Sequence, residues 1–216
     1  MNEIIVMSDP RVAAVPVREC GESVVDARLE DSLLFGVRQE DRPAAFFVRE
    51  GVLDRLAKAQ ASLPGGLRLL FVEGYRPLSV QRRYFDGYAA RLRADNPGWP
   101  AGRLIAAASR FVSPPGIAPH SAGAAVDLTL ADADGRELDL GTPIDATPED
   151  SAGACYTAAG NIGEEARANR GVLASAMEAA GLVNYPTEWW HWSFGDRYWA
   201  LSTGAAVALY SPVETP

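Results

Sequence analysis

The chain has 216 residues, of which 48% are hydrophobic and 22% are charged, and its formal net charge is -8. Its length suits one compact domain, and its composition excludes an intrinsically disordered chain. The acidic balance argues against nucleic acid and anionic membrane surfaces as partners, because both carry charge of the same sign.

The first ten residues lack the features of a secretory signal, which begins with basic residues and continues with a long apolar stretch. They contain two acidic residues, and their apolar run covers only residues 4–7. No apolar run along the sequence approaches the ~18 residues of a membrane-spanning helix. We therefore expect a cytoplasmic protein.

Hydrophobic spacing and turn residues predict the elements of the first half of the chain. We expect helices over residues 52–62, 78–93 and 101–111, and a buried strand over residues 67–73. A stiff loop rich in Pro and Gly follows over residues 113–119.

In the second half, residues 124–130 and 136–140 are predicted to form a hairpin, and a helix is expected over about 162–180. The remaining predicted strands cover residues 182–185, 189–194 and 205–210. Helices and hairpin-linked strands alternate without a βαβ rhythm. The predicted fold class is therefore α+β, with a mostly antiparallel sheet flanked by helices in a single domain over residues 1–216.

The chain contains two histidines, and each lies near a carboxylate, in His120-Ser-Ala-Gly-Ala-Ala-Val-Asp127 and in Glu188-Trp-Trp-His191. Two imidazoles and one carboxylate are the ligand number and type of a catalytic zinc site, which keeps its fourth position for water. A further carboxylate that stays off the metal is the usual general base. The residues predict one Zn²⁺ per chain held by His120, Asp127 and His191, with Glu188 as the base.

The expected local geometry is consistent with such a site. His120 follows a proline and should project from a loop, and Asp127 should face away from its apolar neighbours on the predicted strand. Glu188 and His191 would point to opposite faces of a regular strand, so we place Glu188 in the irregular segment after Pro186. Each pair alone has a simpler interpretation, since a His beside an acid is commonly a structural pair and the tryptophans suit a core.

A third motif, Glu73-Gly74-Tyr75-Arg76-Pro77, ends the predicted strand at residues 67–73. Arg76 could stabilise an oxyanion, because its charge is permanent and its donors are fixed in a fork. Judged from the local sequence, a surface ion pair between Arg76 and Glu73 is the simpler interpretation.

The order of three motifs carries a resemblance to a known family. GYRP, then an A-x-H-x-x-G-x-A-x-D pattern ending at Asp127, then EWWH, resemble the zinc D-alanyl-D-alanine dipeptidases of the vancomycin-resistance type. These belong to the D-Ala-D-Ala metallopeptidases related to the hedgehog fold. The resemblance includes Gln81 and Arg170 and places the motif-bearing core at about residues 67–195.

The resemblance implies a hedgehog-like fold and a role for each motif residue. It implies zinc ligation by His120, Asp127 and His191, general base and proton-shuttle chemistry at Glu188, and stabilisation of the attacked carbonyl by Arg76. It also implies substrate contacts from Asp145, Glu73 and Tyr75. The family's Ser two residues before the first His is Ala118 here, and alanine cannot donate a hydrogen bond, which puts the identity of the substrate in question.

Three functions are compatible with the resemblance. The first is a cytoplasmic dipeptidase that hydrolyses D-alanyl-D-alanine, with this small dipeptide as its partner, in cell-wall biogenesis or degradation. The second is a D,D- or L,D-carboxypeptidase or endopeptidase acting on peptidoglycan peptides, which would need export and an open groove. The third is a non-catalytic zinc-binding module, which Glu188 and Arg76 argue against because binding alone needs neither.

Overall fold

The structure, a computed structural model, describes residues 4–36 and 43–214. Within these residues it contains six α-helices and seven β-strands. The helices are α1 (Pro10–Ala14), α2 (Glu50–Ser62), α3 (Leu78–Asp95), α4 (Ala101–Ala108), α5 (Glu164–Ala179) and α6 (Arg197–Thr203). The strands are β1 (Val24–Asp26), β2 (Leu34–Phe35), β3 (Phe47–Arg49), β4 (Arg68–Glu73), β5 (Ala125–Ala131), β6 (Val183–Asn184) and β7 (His191–Ser193).

The main sheet has five strands in the order β2-β4-β5-β7-β6. Strand β2 runs parallel to β4, and the other neighbouring pairs are antiparallel. A second, two-stranded sheet pairs β1 with β3 in antiparallel fashion. The prediction of an α+β fold with a mostly antiparallel sheet is confirmed, and among the described residues no helix is both long and apolar enough to cross a bilayer.

Strand β5 lies at the centre of the main sheet, and all seven of its residues are buried. The main hydrophobic core surrounds it and includes Trp189 and Trp190 of the EWWH motif and Trp192 just after it, each 1% exposed. Helices α3 and α4 pack on each other around a second, smaller hydrophobic cluster. The interpretation of the tryptophans as core residues is therefore correct.

Two predicted strands are wrong. Residues 205–210 form a loop, because they pair with the N-terminal segment at one bridge only. Ala208 exchanges backbone hydrogen bonds with Pro16 and Arg18, and the next two amides both donate to the carbonyl of Gly195. The strand predicted over 136–140 is reduced to a single bridge between Ala131 and Glu137. After this bridge, the carbonyls of Asp139 and Leu140 accept hydrogen bonds from side chains of α5 and not from a neighbouring strand. The helix expected over 101–111 ends at Ala108.

Candidate metal centre and active site

The register of three neighbouring strands places the acidic and imidazole side chains side by side. Asp127 on β5 lies opposite Glu73 on β4 and opposite His191 on β7. An irregularity in β4 between Phe71 and Glu73 shifts the register just before the motif. Cross-strand neighbours of this kind lie close enough for their side chains to interact. The sheet therefore collects residues that are far apart in sequence.

His120 reaches the same place from a short 3-10 turn, His120–Ala122, that ends at Gly123 in the left-handed conformation (φ 65°) before β5 begins. Its Nδ1 lies 2.6 Å from the carbonyl oxygen of Gly74. Because a carbonyl can only accept, Nδ1 must carry the hydrogen, and the lone pair of His120 is left on Nε2. A ring nitrogen fixed in this way is the usual support of a metal-binding histidine.

The three predicted ligands converge in the interior of the protein. Nε2 of His120 lies 3.1 Å from Nδ1 of His191, and these atoms lie 3.3 Å and 3.0 Å from Oδ1 of Asp127. All three residues are buried, and their candidate donor atoms lie within 4.8 Å of one another. Two nitrogen ligands on a tetrahedral zinc with bonds of ~2.05 Å are about 3.3 Å apart. The observed arrangement fits a Zn²⁺ ion with few adjustments.

The protonation states also suit a metal. Burial alone would raise the pKa of Asp127, but the neighbouring imidazoles lower it far below its ordinary value, so the carboxylate is ionised. Burial lowers the pKa of His191, and the contact with Asp127 opposes this only in part. Nδ1 of His191 faces His120 and Asp127, while its Nε2 is buried without a hydrogen-bond partner among the described residues, so this ring lacks the second support that His120 has. A neutral imidazole and a carboxylate are the forms that bind zinc.

Glu188 lies in the irregular segment between β6 and β7 and His191 lies on β7, as predicted, although this strand begins at His191 and not at residue 189. Two backbone hydrogen bonds hold this segment: the amide of Glu188 donates to the carbonyl of Tyr185, and the amide of His191 donates to the carbonyl of Glu188. The segment brings Oε2 of Glu188 to 3.8 Å from Nδ1 of His191. Burial, followed by the charges of Asp127 and Asp145, raises the pKa of Glu188 well above its ordinary value.

Arg76 is held rigidly beside these groups. Its Nε and Nη2 donate to Glu73 at 2.9 Å and 2.7 Å, and its Nη1 donates to Gln81 at 3.0 Å. Gln81 in turn donates to the carbonyl of Ser113 at 2.7 Å. The ion pair of Arg76 with Glu73 is thus present, but it is buried and not at the surface. Nη2 of Arg76 also lies 4.0 Å from Asp127.

A cavity of about 310 Å³ opens onto these side chains. Its lining includes all five residues predicted for metal binding and catalysis, together with Glu73 and Asp145. Asp145 adopts a left-handed backbone conformation (φ 68°), which is uncommon for a residue other than glycine. The volume is at the lower end of the range for ligand pockets, which indicates a small ligand.

Tyr75 lies outside the lining of this cavity, and its contact with the substrate stays a prediction. Its hydroxyl donates to the carbonyls of Val213 and Glu214 at 2.9 Å and 3.0 Å. Tyr75 therefore ties the C-terminal segment to the GYRP motif. Ala118 is also buried away from the cavity lining.

Sequence reasoning missed the remaining wall of the cavity, which is largely aromatic. It is formed mainly by residues of α3 and of the segment after α4, namely Tyr84, Tyr88, Phe111, Val112 and Ser113, and Gln81 and Trp190 complete it. Tyr84 and Tyr88 had a visible signal, their recurrence every four residues in the predicted helix, but that pattern indicates only an apolar face.

Comparison with known proteins gives results that agree among themselves. A profile for a peptidase family described as D-ala-D-ala dipeptidase matches residues 34–204. A D-alanyl-D-alanine dipeptidase from Synechocystis sp. is 30% identical over an alignment of 244 residues that covers 93% of this chain and 96% of the relative. Another from Escherichia coli is 38% identical over 72 residues, covering 33% of this chain and 35% of the relative.

Among solved structures, the LD-carboxypeptidase LdcB aligns with a TM-score of 0.47 at 16% identity, over 96% of this chain and 89% of its own. A likeness at this level supports no functional conclusion.

Proposed function

Because this chain belongs to the D-Ala-D-Ala dipeptidase family of zinc-dependent metallopeptidases, we propose that it hydrolyses D-alanyl-D-alanine at the site described above. The observation that carries the proposal is the convergence of His120, Asp127 and His191, with Glu188 lying 3.8 Å from one ligand. These four side chains lie on the wall of a cavity with room for a small peptide. Such an arrangement is suited to hydrolysis of an amide.

The proposed mechanism assigns proton transfer to Glu188. A Zn²⁺ ion bound by the three ligands would lower the pKa of a water to ~7 and polarise the substrate carbonyl. Glu188 accepts a proton from the attacking water and delivers it to the leaving amino group. Burial raises the pKa of Glu188, and a carboxyl group whose acid form is stabilised in this way suits delivery of the proton to the leaving group.

Arg76 is proposed to stabilise the negative charge that develops on the carbonyl oxygen. Three of its five N–H donors are used by Glu73 and Gln81, and Arg76 lines the cavity. The buried ion pair fixes the guanidinium before the substrate arrives, so little reorganisation is needed during the reaction. Glu73 then acts through Arg76. Burial alone would raise the pKa of Glu73, but the charge of Arg76 lowers it below its ordinary value.

Asp145 is proposed to bind the ammonium group of the dipeptide. Its carboxylate lines the cavity on the side of the segment between β5 and α5, and opposite charge makes it a natural partner for an amino terminus. The volume of the cavity is sufficient for a dipeptide. A non-catalytic zinc module would require neither the buried Glu188 nor the buried Arg76, because metal binding alone uses only the three ligands.

Replacement of Arg76 by Lys should lower kcat for D-alanyl-D-alanine by about 10²- to 10³-fold, as expected when one preorganised donor to an oxyanion is removed. Lysine keeps the positive charge but not the fork that pairs with Glu73. Steady-state kinetics and zinc content would be measured together. Equal kcat in Arg76→Lys and the wild type would contradict the role of Arg76.

The proposed function is tested by incubating the purified protein with D-alanyl-D-alanine, L-alanyl-L-alanine and a muramyl pentapeptide, with and without a chelator. We expect release of alanine from the D,D-dipeptide alone, its loss after metal removal, and its return when Zn²⁺ is added back. Hydrolysis of the pentapeptide without hydrolysis of the dipeptide would favour the carboxypeptidase function. Activity that survives complete metal removal would contradict both.

A cytoplasmic location and a role in cell-wall metabolism stay predictions of this proposal. A dipeptide destined for the cell wall is available inside the cell, so the proposed substrate and the proposed location agree. Cell fractionation with an antibody against the protein would test the location. Recovery of the protein only outside the cytoplasmic fraction would contradict it.

A further inference from the structure

We propose that Glu149 limits the length of peptide that the cavity accepts, by joining the helical wall of the cavity to the segment that carries Asp145. The inference rests on the proposed function and concerns the choice between a dipeptide and a longer peptide. We call Tyr88, Arg110 and Glu149 together the Glu149 clasp.

The helical wall is a unit with its own packing. Helices α3 and α4 share a hydrophobic cluster that is separate from most of the main core and includes Tyr88, Leu92 and Leu104. A unit that packs mainly on itself depends on contacts at its edge for its position over the cavity. The aromatic residues that it presents to the cavity move with it.

Glu149 provides such an edge contact with both of its oxygens. One oxygen accepts from the hydroxyl of Tyr88 on α3, and the other accepts from the guanidinium of Arg110 just after α4. Tyr88 lines the cavity and packs edge-to-face on Phe111, another lining residue, with ring centroids 5.0 Å apart. Glu149 therefore fixes part of the aromatic wall without touching the cavity itself.

The segment that contains Asp145 and Glu149 is anchored to α5 more firmly than the helical wall is anchored to this segment. Arg170 of α5 donates to the carbonyls of Leu140, Ala154 and Tyr156, which lie at the two ends of the segment that contains Asp145 and Glu149. Arg170 is itself buried, so this anchor is shielded from solvent. Release of the clasp should therefore displace the helical wall, while Asp145 stays in place.

This arrangement bears on peptide length because of where a longer substrate must extend. With the ammonium of a dipeptide at Asp145, we expect an additional residue on the amino side to extend between the Asp145 segment and the helical wall, both of which line the cavity. Those are the two elements that the clasp holds together. A closed clasp thus favours the dipeptide, and an open one admits an extended peptide.

The test compares Glu149→Ala with the wild type on D-alanyl-D-alanine and on an N-terminally extended tripeptide ending in the same dipeptide. We expect KM for the dipeptide to rise about tenfold with kcat changed less than about threefold, since hydrogen bonds to a charged group are lost at the wall and not at the reacting atoms. The ratio of kcat/KM for the tripeptide to that for the dipeptide should rise at least about tenfold.

Two further variants separate the clasp from general structural damage. Tyr88→Phe keeps the ring in the wall and removes only the hydroxyl, so it should change the ratio in the same direction. Arg91→Gln removes an ion pair with Asp150 between the same two elements, and the side chains of this pair are 49% and 57% exposed against 31% and 36% for Arg110 and Glu149. It lacks the partly buried hydrogen bond that Tyr88 adds to the clasp, so its loss should change the ratio much less than Glu149→Ala.

An unchanged ratio in Glu149→Ala and Tyr88→Phe, with the dipeptide still hydrolysed by the wild type, would overturn the inference and leave the proposed function intact. A parallel loss of kcat on both peptides would also overturn it, since that is the effect of structural damage. A zinc-loaded wild type that hydrolyses neither peptide would contradict the proposed function, and the length limit with it.

Discussion

Replacing Glu188 by Gln should lower kcat for D-alanyl-D-alanine by about 10²- to 10⁴-fold, the usual contribution of a general acid–base group. Gln keeps the size of the side chain but can neither accept the proton of the attacking water nor return it. The variant should bind one Zn²⁺ per chain like the wild type, because the ligands His120, Asp127 and His191 are intact. Single-turnover kinetics on protein of known zinc content would measure the effect.

The zinc content of the variant must be measured as a control, because loss of the metal would also lower kcat. A slow variant that had lost its metal would say nothing about proton transfer. A Glu188→Gln variant that retains zinc and turns over within about threefold of the wild type would reject Glu188 as the base, since even a weak general base contributes more than that.

Replacing His191 by Ala should remove both the metal and the activity. Changing a group that merely supports a metal ligand already weakens metal affinity by about 10- to 100-fold, so loss of the ligand itself should weaken zinc binding by more than ~100-fold. Competition with a chromophoric chelator would measure the dissociation constant. The expected turnover is at the level of wild-type protein from which the metal has been removed.

His191 is buried in the sheet, so the fold of the variant must be checked separately. The free energy of unfolding of His191→Ala should be compared with that of metal-free wild type, because only this comparison leaves out the contribution of bound zinc. Glu188→Gln is the matched variant in the same turn, and it should keep the metal. Full zinc occupancy in folded His191→Ala would reject His191 as a ligand.

The positions of the metal-binding residues could be predicted from the sequence because their chemistry is restrictive. The chain has only two histidines, and each is followed or preceded by an acid in a distinctive setting. The placement of Glu188 before the strand and His191 on it followed from the two-residue period of a strand. The strand order that brings Asp127 between Glu73 and His191 could not be predicted, because pairing partners are a property of the whole fold.

The parts of the site that sequence reasoning missed depend on tertiary contacts. Tyr75 belongs to the GYRP motif, but its hydroxyl is taken by the C-terminal segment, which no local pattern indicates. Tyr84 and Tyr88 recur at helical spacing, yet that spacing does not tell which part of the face meets a cavity and which part meets α4. The run over 205–210 has strand composition, but it pairs with the N-terminal segment at a single bridge and its next two amides donate to Gly195.

The most direct test of the account is X-ray absorption at the zinc edge on protein loaded with one equivalent of Zn²⁺, combined with its crystal structure. We predict one ion bound through Nε2 of His120, Nδ1 of His191 and a carboxylate oxygen of Asp127, with metal–ligand distances of about 2.0–2.2 Å. A zinc ion found elsewhere on the protein, or coordination without both imidazoles, would contradict the account.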